Sequence, residues 1–128
     1  MPVTVTWGSE ERTHMCYTIV EPWQWDDFYT AIAAGRAMRQ QENVAVIDVV
    51  FDVTQARKIP YDALTQINIM GRRDSIVGPH VRRIVIVGAN AFLQSILTMV
   101  GRVAPRLGDR VVLADSPEEV QGALEAGA

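Results

Sequence analysis

The sequence predicts a single α/β domain: one mixed, mostly parallel sheet of about five strands with helices packed on it, in the order β-β-α-β-α-β-α-β-α. Three observations predict it. The stretch VAVIDVVFDV, Val44 to Val53, is nearly continuous in β-branched and aromatic residues, which suits a central strand covered on both faces. Strand-like and helix-like patterns alternate along the rest of the chain, and strands joined through helices pair in parallel by right-handed crossovers. A chain of 128 residues is long enough to bury one core without staples and too short for two ordinary domains. Residues 1–128 therefore read as one unit, with no internal repeat, low-complexity tract or linker.

Val3 to Trp7 alternates and is rich in β-branched residues, Gly8 to Arg12 carries turn chemistry, and Met15 to Val20 is strand-like again. This predicts an antiparallel β-hairpin at one side of the sheet. A helix follows from about Trp25 to Gln41, with Asp26 and Asp27 at the positive end of its dipole and Arg36 and Arg39 toward the negative end. Its apolar stripe reads Trp25, Phe28, Ile32 and Gly35, with Tyr29 and Ala33 beside it. Asn43 ends that segment, and the central strand runs to about Val53.

After the polar connection TQARK, Pro60 suits the first turn of a second helix that continues to about Ser75. Ala63, Leu64, Ile67 and Met70 form its buried stripe, and Gly78-Pro79 closes it. Val81 to Val87 reads as another interior strand broken at Gly88. Asn90 is placed to cap a third helix, Ala91 to about Ala104, whose apolar residues cover most of its circumference and call for burial on more than one side. Arg110 to Leu113 is a short last strand. Ser116-Pro117-Glu118-Glu119 combines a cap, proline at the first position and acids in the first turn, which starts a final helix to about Ala126.

Composition narrows the function classes. Hydrophobic residues make up 48% and charged residues 21%, with a mean hydropathy of +0.07, values of an ordinary folded domain rather than a disordered one. No apolar run approaches the roughly 20 residues of a membrane span. A lone Cys16 has no internal disulfide partner and the N-terminus lacks a signal-peptide pattern, so a reducing cytoplasm is expected. The net charge of −3 conceals segregation: residues 1–52 carry 3 basic and 8 acidic groups, residues 53–110 carry 9 and 3, and residues 111–128 carry none and 4. Arg57, Lys58, Arg72, Arg73, Arg82 and Arg83 are read as solvating helix ends and loops, and no nucleic-acid partner is expected.

Three constellations offer chemistry. Asp48 and Asp52 share a face of the central strand near its C-terminal end, and Asp115 follows the last strand; such acids can hold magnesium in a metal-dependent enzyme or phosphoacceptor. The plainer roles are capping loop N–H groups or pairing with arginine. Trp7, Trp23, Trp25 and Phe28, with Tyr17 and Tyr29, concentrate the aromatics in the first third of the chain, where they line a ligand pocket or simply pack the core. Cys16 with His14 or His80 is a weak thiol–imidazole pattern. Gly88-Ala89-Asn90 is neither a Walker loop nor GxGxxG, no Gly-x-Ser-x-Gly elbow is present, and two histidines with one cysteine spell out no zinc site. Neither a cofactor nor a resident metal is expected, and catalysis has little support.

VAVIDVVFDV followed by IPYDALTQI and VRRIVIVGAN resembles the STAS superfamily, the domain of sulfate transporters and anti-sigma-factor antagonists. The pattern is most similar to the stand-alone bacterial antagonist-like branch, itself likened to the CRAL-TRIO fold. In the antagonists the central strand leads to an Asp-Ser-Ser-Gly-type turn whose serine is phosphorylated. Here the corresponding residues are Pro60-Tyr61-Asp62-Ala63, without a serine and with an acid already in place. The resemblance implies a small non-enzymatic regulatory or protein-interaction module, a homodimer through the third helix or the hairpin. Its docking surface would include Tyr61, Asp62, Thr65 and Arg72. The alternative is a carrier or sensor of a small hydrophobic or anionic ligand.

Overall fold

The computed structural model describes residues 2–8, 14–56, 58, 62–63, 65–66, 69, 80–103 and 109–125. Their elements are β1 (Val3–Trp7), β2 (His14–Val20), α1 (Trp25–Gln41), β3 (Ile47–Gln55), β4 (Val81–Val87), α2 (Ala91–Val103), β5 (Val111–Ala114), a 3-10 turn at Pro117–Glu119 and α3 (Val120–Glu125). The five strands form one sheet in sequence order, β1-β2-β3-β4-β5. β1 and β2 are an antiparallel hairpin, Val3 facing Ile19 and Trp7 facing Met15. The β2–β3, β3–β4 and β4–β5 pairs are all parallel. This is the expected α/β architecture, with a mixed and mostly parallel sheet.

Right-handed crossovers that each advance one strand in the same direction fall on one face of a sheet. Phe28 and Ala31 of α1, Ala63, and Ile96 of α2 accordingly share one core with Val3, Met15, Tyr17, Ile19, Ile47, Val49, Ile84 and Ile86. Leu124 of α3 covers part of the other face, over Val50, Val85, Val87 and Ala114. The central strand is thus covered on both sides where it matters: Ile47 to Val50 are all buried.

Several boundaries differ from expectation. The central strand begins at Ile47, three residues later than VAVIDVVFDV suggests, because Asn43 adopts φ 56° and Val44 closes the end of α1. The Val44 amide donates to the Arg39 carbonyl at 3.1 Å, and Arg39 Nη1 donates back to the Val44 carbonyl at 3.1 Å. Val46 is left 57% exposed. In α1 the buried stripe is Phe28, Ala31 and Gly35, while Ala33 is exposed. The last strand is displaced by one residue. Ser116 stands at the cap of the 3-10 turn with Pro117 following, but its side chain makes no capping bond; the Glu119 carboxylate instead accepts from the Asp115 amide at 2.7 Å. Asn90 does cap α2, its Oδ1 accepting from the Leu93 amide at 2.9 Å.

Tyr17 lies in the middle of the larger core, 4% exposed, with its ring stacked on Phe51 at 5.0 Å. Burial pushes its hydroxyl from 10.0 up to about 12, against a small opposing pull from Arg36. Below pH 10 the hydroxyl is neutral in both folded and unfolded chains and this contribution is intact. Between pH 10 and about 12 the unfolded chain ionises first, so stability falls, by about 2–3 kcal/mol in all. Denaturant titrations across this range are expected to show a steeper decline for the native protein than for Tyr17→Phe, which has no proton to lose. Equal slopes would remove Tyr17 as the cause.

Candidate functional site

In open α/β sheets the carboxyl ends of the strands are where successive loops meet. Here β2 delivers residues 21–24 and β3 delivers Ala56 and Lys58 to that end. The two are tied together: the Glu21 amide donates to the Gln55 carbonyl at 3.3 Å, and the Lys58 amide donates to the Glu21 carboxylate. Behind them stands the start of α1, where the Asp27 carboxylate accepts from the Gln24 amide at 2.8 Å.

The aromatic residues of this region form a connected group. Trp23 meets Trp25 edge-on at 4.9 Å and Phe28 at 6.3 Å; Trp25 meets Phe28 at 5.8 Å, and Phe28 stacks on Phe51 at 5.6 Å. Trp23 and Phe28 are each 7% exposed, whereas Trp25 and Tyr29 remain half-buried. Trp7 does not belong to the group. It pairs with Met15 near the start of β2, roughly 17 Å along the strand from the end that leads to Trp23, so the four candidate pocket aromatics do not line one pocket.

The proposed docking residues are described only in part. Tyr61 and Arg72 lie outside the described residues, as do Pro60 and most of the helix expected over 60–75. Asp62 is a turn residue with φ 78° rather than a residue of the first helical turn; its carbonyl accepts from the Gln66 amide at 3.0 Å, which makes it the cap of the helix that follows. Its carboxylate accepts from Gln66 Nε2 at 3.3 Å, and the Tyr29 hydroxyl donates to Gln66 Oε1. Gln66 therefore joins the exposed Asp62 to α1. Gln66 is not among the residues the sequence singles out, although it lies four positions beyond Asp62, one turn into the helix that Asp62 caps. Thr65 is exposed beside it.

The acidic residues Asp48, Asp52 and Asp115 do not converge. With β3 beginning at Ile47, Asp48 is near the N-terminal end of the strand, opposite His14, about 13 Å from Asp52 along the chain direction. Asp52 is level with Val87, and its Oδ1 accepts from the Thr54 amide at 2.9 Å and the Thr54 hydroxyl at 2.6 Å. Asp115 is exposed beyond β5. Among the described residues no group of three His, Cys, Asp or Glu is placed to hold a metal ion. Cys16 is half-buried, and burial together with the Asp52 charge raises its thiol above the ordinary 9.0. It stays protonated at neutral pH, the unreactive form.

Asp48 is the one buried charged residue among those described, 6% exposed, and its partner is Arg82. The guanidinium Nε and Nη2 donate to the two carboxylate oxygens at 3.0 and 2.7 Å. A register irregularity sets this up: Ile47 faces Val81 but Val49 faces Ile84, so Arg82 and Arg83 stand across from the single Asp48. The hydrogen bonds and charge of Asp48 raise Arg82 above its already high ordinary value. The pair is asymmetric, since the Arg82 side chain is 48% exposed and that of Asp48 only 8%. Arg82→Met, which strands a buried carboxylate, is expected to lower the melting temperature more than Asp48→Asn does, and adding Asp48→Asn to Arg82→Met is expected to restore part of the loss. Additive losses in thermal melts of the double variant would show that the pair is not coupled.

Comparison with protein-family models finds no match for this chain, and comparison with curated proteins finds none either. No helix among the described residues is long and apolar enough to cross a membrane.

Proposed function

We propose that this chain is a non-enzymatic regulatory or protein-interaction module of the STAS-like type, cytoplasmic, homodimeric, and without a phosphorylatable serine where its second crossover helix begins. The observation that carries the reading is Asp62. It is exposed and sits in the left-handed backbone region at φ 78°, a conformation that costs a non-glycine residue roughly 1–2 kcal/mol and recurs at recognition loops. The Gln66–Tyr29 bridge ties its carboxylate to α1. A fixed acid where the antagonists carry their switch serine suits a docking surface that is permanently charged, with Thr65 at its side.

Self-association through α2 has separate support. Only Ile96 among its described side chains is buried, and Met99 is 50% exposed. A half-covered apolar helix favours pairing with a second surface.

A photocrosslinking residue at Thr65 is expected to capture a partner that the same residue at Thr4, on the hairpin, does not. With that partner purified, Asp62→Lys and Thr65→Arg are expected to weaken binding at least about tenfold while Thr4→Arg leaves it unchanged. Binding insensitive to both changes would overturn the assignment of this surface. Sedimentation is expected to show a dimer weakened by Met99→Glu; a monomer at high concentration would overturn the dimer.

A further inference from the structure

We infer a small-molecule site at the carboxyl end of β2, built by Trp23, Trp25, Phe28 and Tyr29, that takes a flat, uncharged, mainly apolar molecule whose single hydrogen-bond acceptor meets the Trp23 indole N–H. Trp23 is 7% exposed, and its Nε1 is buried with no hydrogen-bond partner. Buried indole N–H groups ordinarily have one, because leaving a donor unpaired away from water is costly. A bound molecule that brings an acceptor to this N–H satisfies it.

The surroundings define the rest of the ligand. The rings cross edge-on or tilted, Trp23 on Trp25 at 73° and Trp25 on Phe28 at 77°, the geometry in which a further flat ring joins an aromatic group favourably. Trp25 and Tyr29 are only half-buried, so the group reaches the surface. The adjoining loops carry exposed charges of both signs, Glu21 and Asp62 against Lys58, so they select for neither an anion nor a cation. The class is therefore a neutral planar molecule with one carbonyl or heterocyclic nitrogen. The site shares Tyr29 with the Gln66–Asp62 bridge, but the inference is carried by the buried Trp23 donor and does not rest on the docking surface.

The full chain labelled with nitrogen-15 gives an indole N–H signal for each of its three tryptophans, assigned by Trp7→Phe and Trp25→Phe. Acetophenone and α-methylstyrene are the probes, alike in shape but differing in the carbonyl. Acetophenone is expected to move the Trp23 signal saturably and to bind about tenfold more tightly, the equivalent of roughly 1.4 kcal/mol for one hydrogen bond. Trp23→Phe, if folded, is expected to abolish that preference. A Trp23 signal that does not move, or equal affinity for the two probes in the native protein, would overturn the site whatever the variant does.

Discussion

Phe28→Ala is expected to cost about 3–5 kcal/mol of folding free energy, the range for removing a buried aromatic ring. Phe28 is the junction of the aromatic group: it touches Trp23, Trp25, Tyr29 and Phe51, and through Phe51 it reaches Tyr17 on β2. Its ring thereby couples the start of α1 to the middle of two strands. The neighbours are themselves large and rigid, so they cannot collapse into the space, and the cavity contribution stays near its full size. Urea denaturation followed by circular dichroism measures the loss. Thr30→Ala, at an exposed position of α1, is the control and is expected to change stability far less. A Phe28→Ala loss no larger than the control's would show that the aromatic group is not part of the core.

Gly35→Ala is expected to destabilise the protein by about 1–3 kcal/mol, against the roughly 1 kcal/mol gain that helix propensity alone assigns to the exchange. Gly35 lies in α1, and a methyl group there would stand 2.1 Å from the Tyr17 hydroxyl oxygen and 3.0 Å from the ring carbon that bears it. Tyr17 is buried and stacked on Phe51, so it has no room to retreat. The glycine thus permits a close approach of helix to sheet. In a Tyr17→Phe background the nearest contact becomes the ring carbon, and the penalty of Gly35→Ala is expected to shrink. A double-mutant cycle measured by denaturation decides the matter. Gly35→Ala that raises stability in the native background would refute the close approach.

Both predictions separate what was legible in the residues from what was not. Gly35 falls on the apolar stripe of α1 by its spacing alone, but the reason for glycine there is Tyr17, 18 positions away on another element. Likewise Asp48 is visible as an acid in an apolar strand, while its partner Arg82 follows from a one-residue irregularity in the β3–β4 register, which no periodicity encodes. A strand beginning at Val44 would carry Asp48 toward its carboxyl end, beside Asp52, whereas one beginning at Ile47 leaves Asp48 near its amino end. The competing influence was local: the end of α1 claimed Val44 for its own hydrogen bonds. Trp23 was visible as a pocket candidate, but only its packed surroundings reveal an indole N–H without a partner.

By itself the sequence determined the α/β class, the hairpin, the approximate span of α1, and the central place of β3, because these depend on hydrophobic period and on turn and capping residues, all read within a dozen positions. The tertiary structure alone decided which charges pair, which aromatics meet, and that Asp48, Asp52 and Asp115 stay apart. Those outcomes depend on strand register and on contacts between residues distant in the chain, where a shift of one residue exchanges one face of the sheet for the other.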